Sequence, residues 1–425
     1  MMTKPGTMAL SALLLSVPLL RLTAQAHEAS EAKLGATVEI TRSHSWCWFP
    51  TIHRFRSGEI IVGMVLSPDQ INSESATSGY CISKDRGQTW SRRFTMGEGA
   101  NQDGAWSEAP DKDDMIWQFG SYPEPVVEGN AQKFYATMTK FGRGGRFSSE
   151  DRDVTITLHE PAHIDAAWLF DYRFDGKVLV ADTRFGTQFH GRPWGNIVQD
   201  KNGYYYCTAY FNTEADGQRE LAAGKASKEP RYAPRFNRCV VLRSTDNGKN
   251  WVERGVLASI PATGDRPDWV GFEGYNEGSL AVLPDGRLFG ICRTGGRVAS
   301  GGSQGGTINH AWSSDGGKTW TAPASIGFGG VAPRVHRLAS GALAVVTGRP
   351  GPVTLHINPD GRGEQWLKPI TIYSEMSSRY CDFIEVSPGK LLVVYDHLPY
   401  GWMEIPFADR EARNIIYGTF VDLAE

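Results

Sequence analysis

Long apolar runs are missing from most of this chain. Past Leu20 no stretch approaches the roughly 20 apolar residues that a membrane-spanning helix needs, so no internal span is expected. Basic runs are missing as well. The net charge is −3, and neither nucleic acid nor an anionic membrane is an expected partner. The six cysteines, Cys47, Cys81, Cys207, Cys239, Cys292 and Cys381, never form C-x-x-C, which argues against a redox or zinc motif. No D-x-D-x-D-G loop occurs, and the reading calls for no metal or cofactor. Most cysteines sit in apolar segments such as LFGICRT (288–294), where a buried free thiol is the expected state. Export would permit a disulfide, but sequence cannot pair the six.

What the chain has in quantity is glycine, proline and aromatic residues: 48 Gly, 23 Pro and 13 Trp in 425 residues. That composition suits short strands joined by tight turns. Lys4, the apolar stretch Met8–Leu20 and the A-x-A site Ala24-Gln25-Ala26 read as a secretory signal. Residues 1–26 are therefore expected to be removed, leaving 27–425 as a single secreted or periplasmic domain, a monomer.

Three octapeptides nearly repeat: SKDRGQTW (83–90), STDNGKNW (244–251) and SSDGGKTW (313–320). Repetition at this scale signals a recurring supersecondary unit. Around each box the same order returns. In the first unit FPTIHRF, the turn RSGE and IIVGMVL lead into GYCISKDRGQTW. In another EGSLAVL, PDGR and LFGICRT lead into NHAWSSDGGKTW. Short strands bounded by Gly, Asp and Ser turns are hairpin signals. VAPRVHRLASGALAVVTGR keeps the hairpin and continues into INPDGRGEQW, a box with one extra residue. GNIVQDKNGYYYCTAY opens the unit that owns STDNGKNW, RYCDFIEVSPGKLLVVYDH begins the last, and a degenerate unit fills Asp113 to about Ile164. The expectation is an all-β fold, a six-bladed β-propeller of four-stranded antiparallel blades. IIYGTFVDL (415–423) should pair with ATVEITRS (36–43) to close it, and 212–237 should form a surface loop.

With its S-x-D-x-G-x-T-W boxes the chain resembles the sialidase superfamily, whose blades carry such Asp-boxes on hairpins away from the active face. The resemblance covers nearly the whole mature chain and implies a structural role for the boxes. Chemistry is then expected at the opposite rim. Counting back from the turns at Asp285-Gly286 and Pro388-Gly389 puts Glu277 opposite residue 294, beside Arg293, and Tyr380 opposite His397, all about eight residues from their turns at roughly 3.3 Å each. In the resemblance Tyr380 is similar to the tyrosine nucleophile, Glu277 to the glutamate paired with it, and Arg293 to a carboxylate-binding arginine. Asp69, in SPDQINSES, is placed like the acid/base aspartate. A neutral phenol activated by a nearby Glu suits an anomeric carbon that bears a carboxylate, because an anionic nucleophile would be repelled.

The chain departs from the family at the first inner strand. Trp48-Phe49-Pro50 stands where sialidases have Arg-Ile-Pro, so one arginine of the carboxylate clamp is lost, and an indole cannot replace a bidentate fork. Arg334 in VAPRV and Arg349 in TGRPG are the candidates for the third arginine. Trp46 and Trp48 offer a stacking face for a sugar ring. His190, Arg192 and Trp194, in HGRPWGN, add an imidazole, a guanidinium and another indole at the same rim. The first reading is an exo-glycosidase, sialidase-like, cleaving a terminal acidic sugar from a glycan. A polysaccharide lyase performing β-elimination on a uronate, or a non-catalytic glycan-binding propeller, remain the alternatives.

Overall fold

The computed structural model describes residues 32–45, 47–66, 77–95, 104–119, 123–126, 130–162, 164–174, 179–189, 191–213, 215, 238–259, 274–294, 296–297, 303–304, 306–349, 351–401, 403 and 405–423. The expected leader (1–26), Trp46, Asp69, His190 and nearly all of 212–237 lie outside these residues.

The described chain is all-β. One four-stranded antiparallel sheet runs through Cys47–Arg54, Ile60–Leu66, Thr77–Ser83 and Phe94–Thr95. A second is Asn276–Val282, Leu288–Arg293, Thr307–Ser313 and Ala324–Gly329, and a third is Val331–Arg337, Leu343–Gly348, Val353–Asn358 and Ile370–Tyr373. The last contains Cys381–Ser387, Lys390–His397 and Asn414–Asp422, with Lys33–Ser43 on its edge. Thr37 pairs with Thr419 and Ser43 with Asn414, so the two ends of the chain join one sheet as their sequences imply.

The middle of the chain differs from the expected pattern of separate four-stranded units. Gly191–Gln199, Tyr205–Phe211, Arg238–Ser244 and Asn250–Ser259 share one nine-stranded sheet with strands drawn from 105–157. Two short parallel bridges join them. Gly195–Ile197 lies along Ala105–Ser107, and Thr155–Thr157 lies along Asn250–Val252. Edges that approach this closely hydrogen-bond instead of merely packing. A separate hairpin, Ile164–Phe174 with Leu179–Phe189, was not expected from the sequence.

Neighbouring sheets bury apolar faces against each other. Ile52, Val62 and Cys81 pack on Leu392, Val394 and Ile416, while Ala344, Val346 and Leu355 pack on Phe383, Val393 and Tyr395. Because both faces are covered, the strands read as continuous apolar runs rather than alternating ones. Leu288–Arg293, for example, is buried at every position. All six cysteines are buried, and none is in a disulfide.

The three octapeptides fold into the same closed loop. In the first, Asp85 Oδ1 accepts from the N–H groups of Gln88 (3.1 Å) and Thr89 (2.9 Å), Ser83 Oγ accepts from Gly87 N (2.8 Å), and the indole of Trp90 donates to Gly87 O (3.1 Å). Asp246 and Asp315 repeat these contacts in their own boxes. In the longer INPDGRGEQW the Asn358 side chain takes the serine's place, accepting from Gly363 N at 2.8 Å. These loops lie at the turn end of the sheets. So does a cavity of about 770 Å³ lined by Ser57, Glu59, Lys84, Asp113 and Arg143.

The first strands of the sheets meet through polar side chains. Asn196 Nδ2 donates to Leu280 O (2.6 Å) and Val335 O (3.0 Å), and Asp382 accepts from Ile52 N at 3.3 Å. His336 bridges Glu108 (3.0 Å) and Asp382 (3.3 Å). Four of these strands carry a bulge away from their turn, between Trp48 and Thr51, Trp194 and Val198, Asn276 and Ser279, and Val331 and Arg334, whereas Cys381–Ser387 is irregular beside its turn, between Glu385 and Ser387. Inside every one of these bulges a residue has positive φ: Phe49 (+54°), Gly195 (+83°), Glu277 (+47°) and Ala332 (+40°). A bulge shifts the side-chain alternation by one position and re-aims the residues that follow.

Candidate active site

Four of these bulged ends surround Tyr380. The hydroxyl of Tyr380 donates to Glu277 Oε1 at 2.6 Å. The other carboxylate oxygen, Oε2, accepts from Arg293 Nη1 at 3.0 Å and from the backbone N–H of Ala332 at 2.7 Å. Glu277 and Arg293 are buried, at 5% and 4% exposure, so their attraction is little screened by water. Burial alone would raise the Glu277 carboxyl. The Arg293 charge and the bonds from Tyr380 and Ala332 outweigh it and hold the group below its ordinary range, hence ionised. The Tyr380 phenol is pushed the other way, well above its ordinary value, first by burial and then by the Glu277 charge, against opposition from Arg293 and Arg349. A neutral phenol therefore donates a hydrogen bond to an ionised carboxylate.

Hairpin counting misplaces Tyr380 by one position and Glu277 by two. Asn276 pairs with Arg293, where the count had put Glu277 opposite residue 294, and Cys381 pairs with Tyr395, so Tyr380 lies level with Asp396 rather than His397. At Glu277 one position comes from the turn, where Val282 pairs with Leu288, and the other from the bulge.

Aromatic rings wall the tyrosine. Phe49 lies 4.5 Å from Tyr380, centroid to centroid, and Trp194 meets it edge-on at 6.5 Å. Here the expectation of an open stacking face on Trp48 is corrected. Trp48 is 6% exposed and packs with Leu398 behind Phe49. The bulge turns position 49 to the site and position 48 into the wall. Sequence pattern gave no cue, since three of the four left-handed bulge residues are not glycine. The fourth is legible: a Cβ on Gly195 would meet Gly278 O at 2.1 Å.

The arginines gather here too. Arg349, half-buried, lies 5.8 Å from the Tyr380 ring centroid and donates to Ser378 O at 2.8 Å. Arg192 and Arg334 flank Trp194 at 4.7 and 5.5 Å from its ring, and Arg192 Nε donates to Tyr210 Oη at 2.6 Å. Arg334 is 5% exposed, two residues along from Ala332 and deeper than Arg349. Below it stands His336. Burial lowers this histidine's pKa, but hydrogen bonds and charges from Asp382 and Glu108 prevail and raise it to about 9. The structure thus brings Tyr380, Glu277, Arg293, Arg334, Arg349 and Arg192 to one end of the sheets. Sequence reasoning missed Phe49 and the Ala332 N–H as members of the site. Asp69, His190 and Trp46 lie outside the described residues.

No family model and no curated protein matches the chain. Solved structures do. A protein of unknown function from Dyadobacter fermentans is 18% identical with a TM-score of 0.61, covering 92% of this chain and 99% of that one. An α-L-arabinofuranosidase from Fusarium graminearum is 12% identical with a TM-score of 0.53, over 92% and 98%. The Hadza microbial sialidase Hz136 is 15% identical with a TM-score of 0.51, over 83% of this chain and 64% of its own. At such identities the likeness is one of fold.

Proposed function

We propose that this chain is a glycoside hydrolase on a six-bladed β-propeller, sialidase-like, that removes a terminal acidic sugar from a glycan. On this reading the nine-stranded sheet is two blades joined edge to edge. The observation that carries the proposal is the 2.6 Å hydrogen bond from Tyr380 to a Glu277 carboxylate held by Arg293. As the phenol oxygen attacks the anomeric carbon its proton passes to Glu277, the bond to the leaving oxygen breaks, and water later displaces the tyrosine. The leaving oxygen needs a proton, and Asp69 is the residue proposed to give it.

Arg293, Arg349 and Arg334 supply positive charge for the sugar's carboxylate, with Arg192 beside Trp194. Trp48 stands where the resemblance places the first strand's arginine, and the arginine that strand does carry, Arg54, lies at its turn end and donates to Val386 O. The pocket is therefore proposed to favour an acidic sugar shaped differently from a simple α-sialoside. The apolar leader and its A-x-A site support export, so the glycan would be met outside the cytoplasm.

The test is a product assay on mixed acidic glycans together with Tyr380→Phe. A hydrolase releases a saturated reducing sugar, and losing one hydroxyl should cut kcat by a factor of roughly 10²–10⁴ without changing the fold. An unsaturated uronate absorbing in the ultraviolet would make the chain a lyase. Full activity in Tyr380→Phe would remove both schemes, and binding with no product would leave a lectin.

A further inference from the structure

Asp396, at the end of Lys390–His397, is fully buried, and no step above uses it. Burial raises its pKa despite the donors around it. Its Oδ1 accepts from Ser377 Oγ (2.8 Å) and from the backbone N–H of Ser378 (2.7 Å). Its Oδ2 accepts from Ser378 Oγ and from the backbone N–H of Phe49 at 3.1 Å. Ser378 Oγ in turn accepts from Tyr380 N at 3.1 Å, and Ser378 O holds Arg349. One carboxylate thus ties the segment leading into Tyr380 to the bulge whose ring packs on Tyr380.

Both tethered segments contain a non-glycine residue in the left-handed region, Phe49 at φ +54° and Arg379 at +69°. Such conformations persist where the surroundings over-determine them. An acceptor-only group matches four donors, and no neutral isostere can. In asparagine one oxygen becomes an amino group. Whichever way that amide is turned, its N–H₂ faces a backbone N–H, either that of Phe49 or that of Ser378. Serine hydroxyls can rotate away, but the backbone cannot.

We infer that Asp396 is the positioning residue that holds Tyr380 on Glu277, clamping the tyrosine segment and the Phe49 bulge with its two oxygens. This rests on the Tyr380–Glu277 reading for its catalytic consequence, though not for its structural one. The test places 3-fluorotyrosine at position 380 of the full chain and follows its fluorine resonance against pH, which needs no substrate. The wild type should give one resonance that does not titrate until far into the alkaline range. Asp396→Asn should shift or split it and bring its titration to lower pH. On any chromogenic acidic glycoside the wild type cleaves, kcat should fall about 10²-fold, the scale expected of a 1 Å misplacement, with KM nearly unchanged.

Should Asp396→Asn fail to fold, Ser378→Ala removes the bond to Tyr380 N while leaving Ser377 and both backbone donors, and should move the resonance in the same direction. A folded variant of either kind with a wild-type resonance and titration overturns the inference. If the wild type cleaves none of the glycosides, the glycosidase reading fails, while the resonance still decides the role of Asp396.

Discussion

Replacing Glu277 by glutamine tests the centre of the site at almost constant volume. The carboxylate balances Arg293 across 3.0 Å, with side-chain exposures of 7% and 5%. Removing one partner of a buried pair typically costs about 3–5 kcal/mol, because the other charge stays buried without its counter-ion. Unfolding entropy near 2.1 cal/mol/K per residue, over roughly 390 residues, converts this to a fall in melting temperature of about 4–6 °C. The amide must also choose its orientation. With its oxygen toward Arg293 and Ala332, its N–H₂ faces the Tyr380 oxygen, and the phenol changes from donor to acceptor. No group then takes the phenolic proton, so kcat should drop by a factor of roughly 10²–10⁴. The Tyr380 phenol itself should titrate at lower pH than in the wild type, since the Glu277 charge is second only to burial in raising it. Calorimetry, steady-state kinetics and ultraviolet titration check the three arms. A variant that melts several degrees lower yet keeps its kcat would refute the reasoning, reducing Glu277 to a structural counter-ion of Arg293.

Asp315→Ala removes the acceptor for Lys318 N, Thr319 N and two hydroxyls, and should cost about 1–3 kcal/mol in a denaturant titration while activity per folded molecule holds. Gly195→Ala combines a left-handed φ with a Cβ 2.1 Å from Gly278 O. Strain and overpacking together should destabilise by roughly 2–6 kcal/mol, read as a lower urea midpoint. The pKa of His336, raised from 6.5 to about 9, contributes stability that is full below pH 6.5 and lost as pH rises toward 9. His336→Gln should flatten that alkaline limb in melts taken from pH 6 to 9, and an unchanged slope would contradict the cluster with Glu108 and Asp382.

What the sequence determined by itself is the set of features whose contacts are local. Ser83, Asp85, Gly87 and Trp90 bond within one octapeptide, so the loop forms wherever the string occurs, and its copies mark successive sheets. Hairpins with short turns are local as well, which is why counting from Asp285-Gly286 and Pro388-Gly389 brought Glu277, Arg293 and Tyr380 to one level. The pairing of the chain ends, Thr37 with Thr419, was legible because the run 36–43 precedes the first unit and the last unit has only three strands of its own.

The tertiary structure decided everything that depends on an extra residue in a strand or on two distant segments meeting. A bulge moves side chains to the other face, and no glycine marks it at Phe49, Glu277 or Ala332. Hence Phe49, not Trp48, reaches the tyrosine. Whether two sheets stay apart or join through bridges such as Asn196 with Trp106 depends on the distance between their edges. The same holds for Asp396, an ordinary aspartate at the end of a strand by sequence. It anchors Tyr380 because strands some 350 residues apart, carrying Phe49 and Asp396, lie side by side.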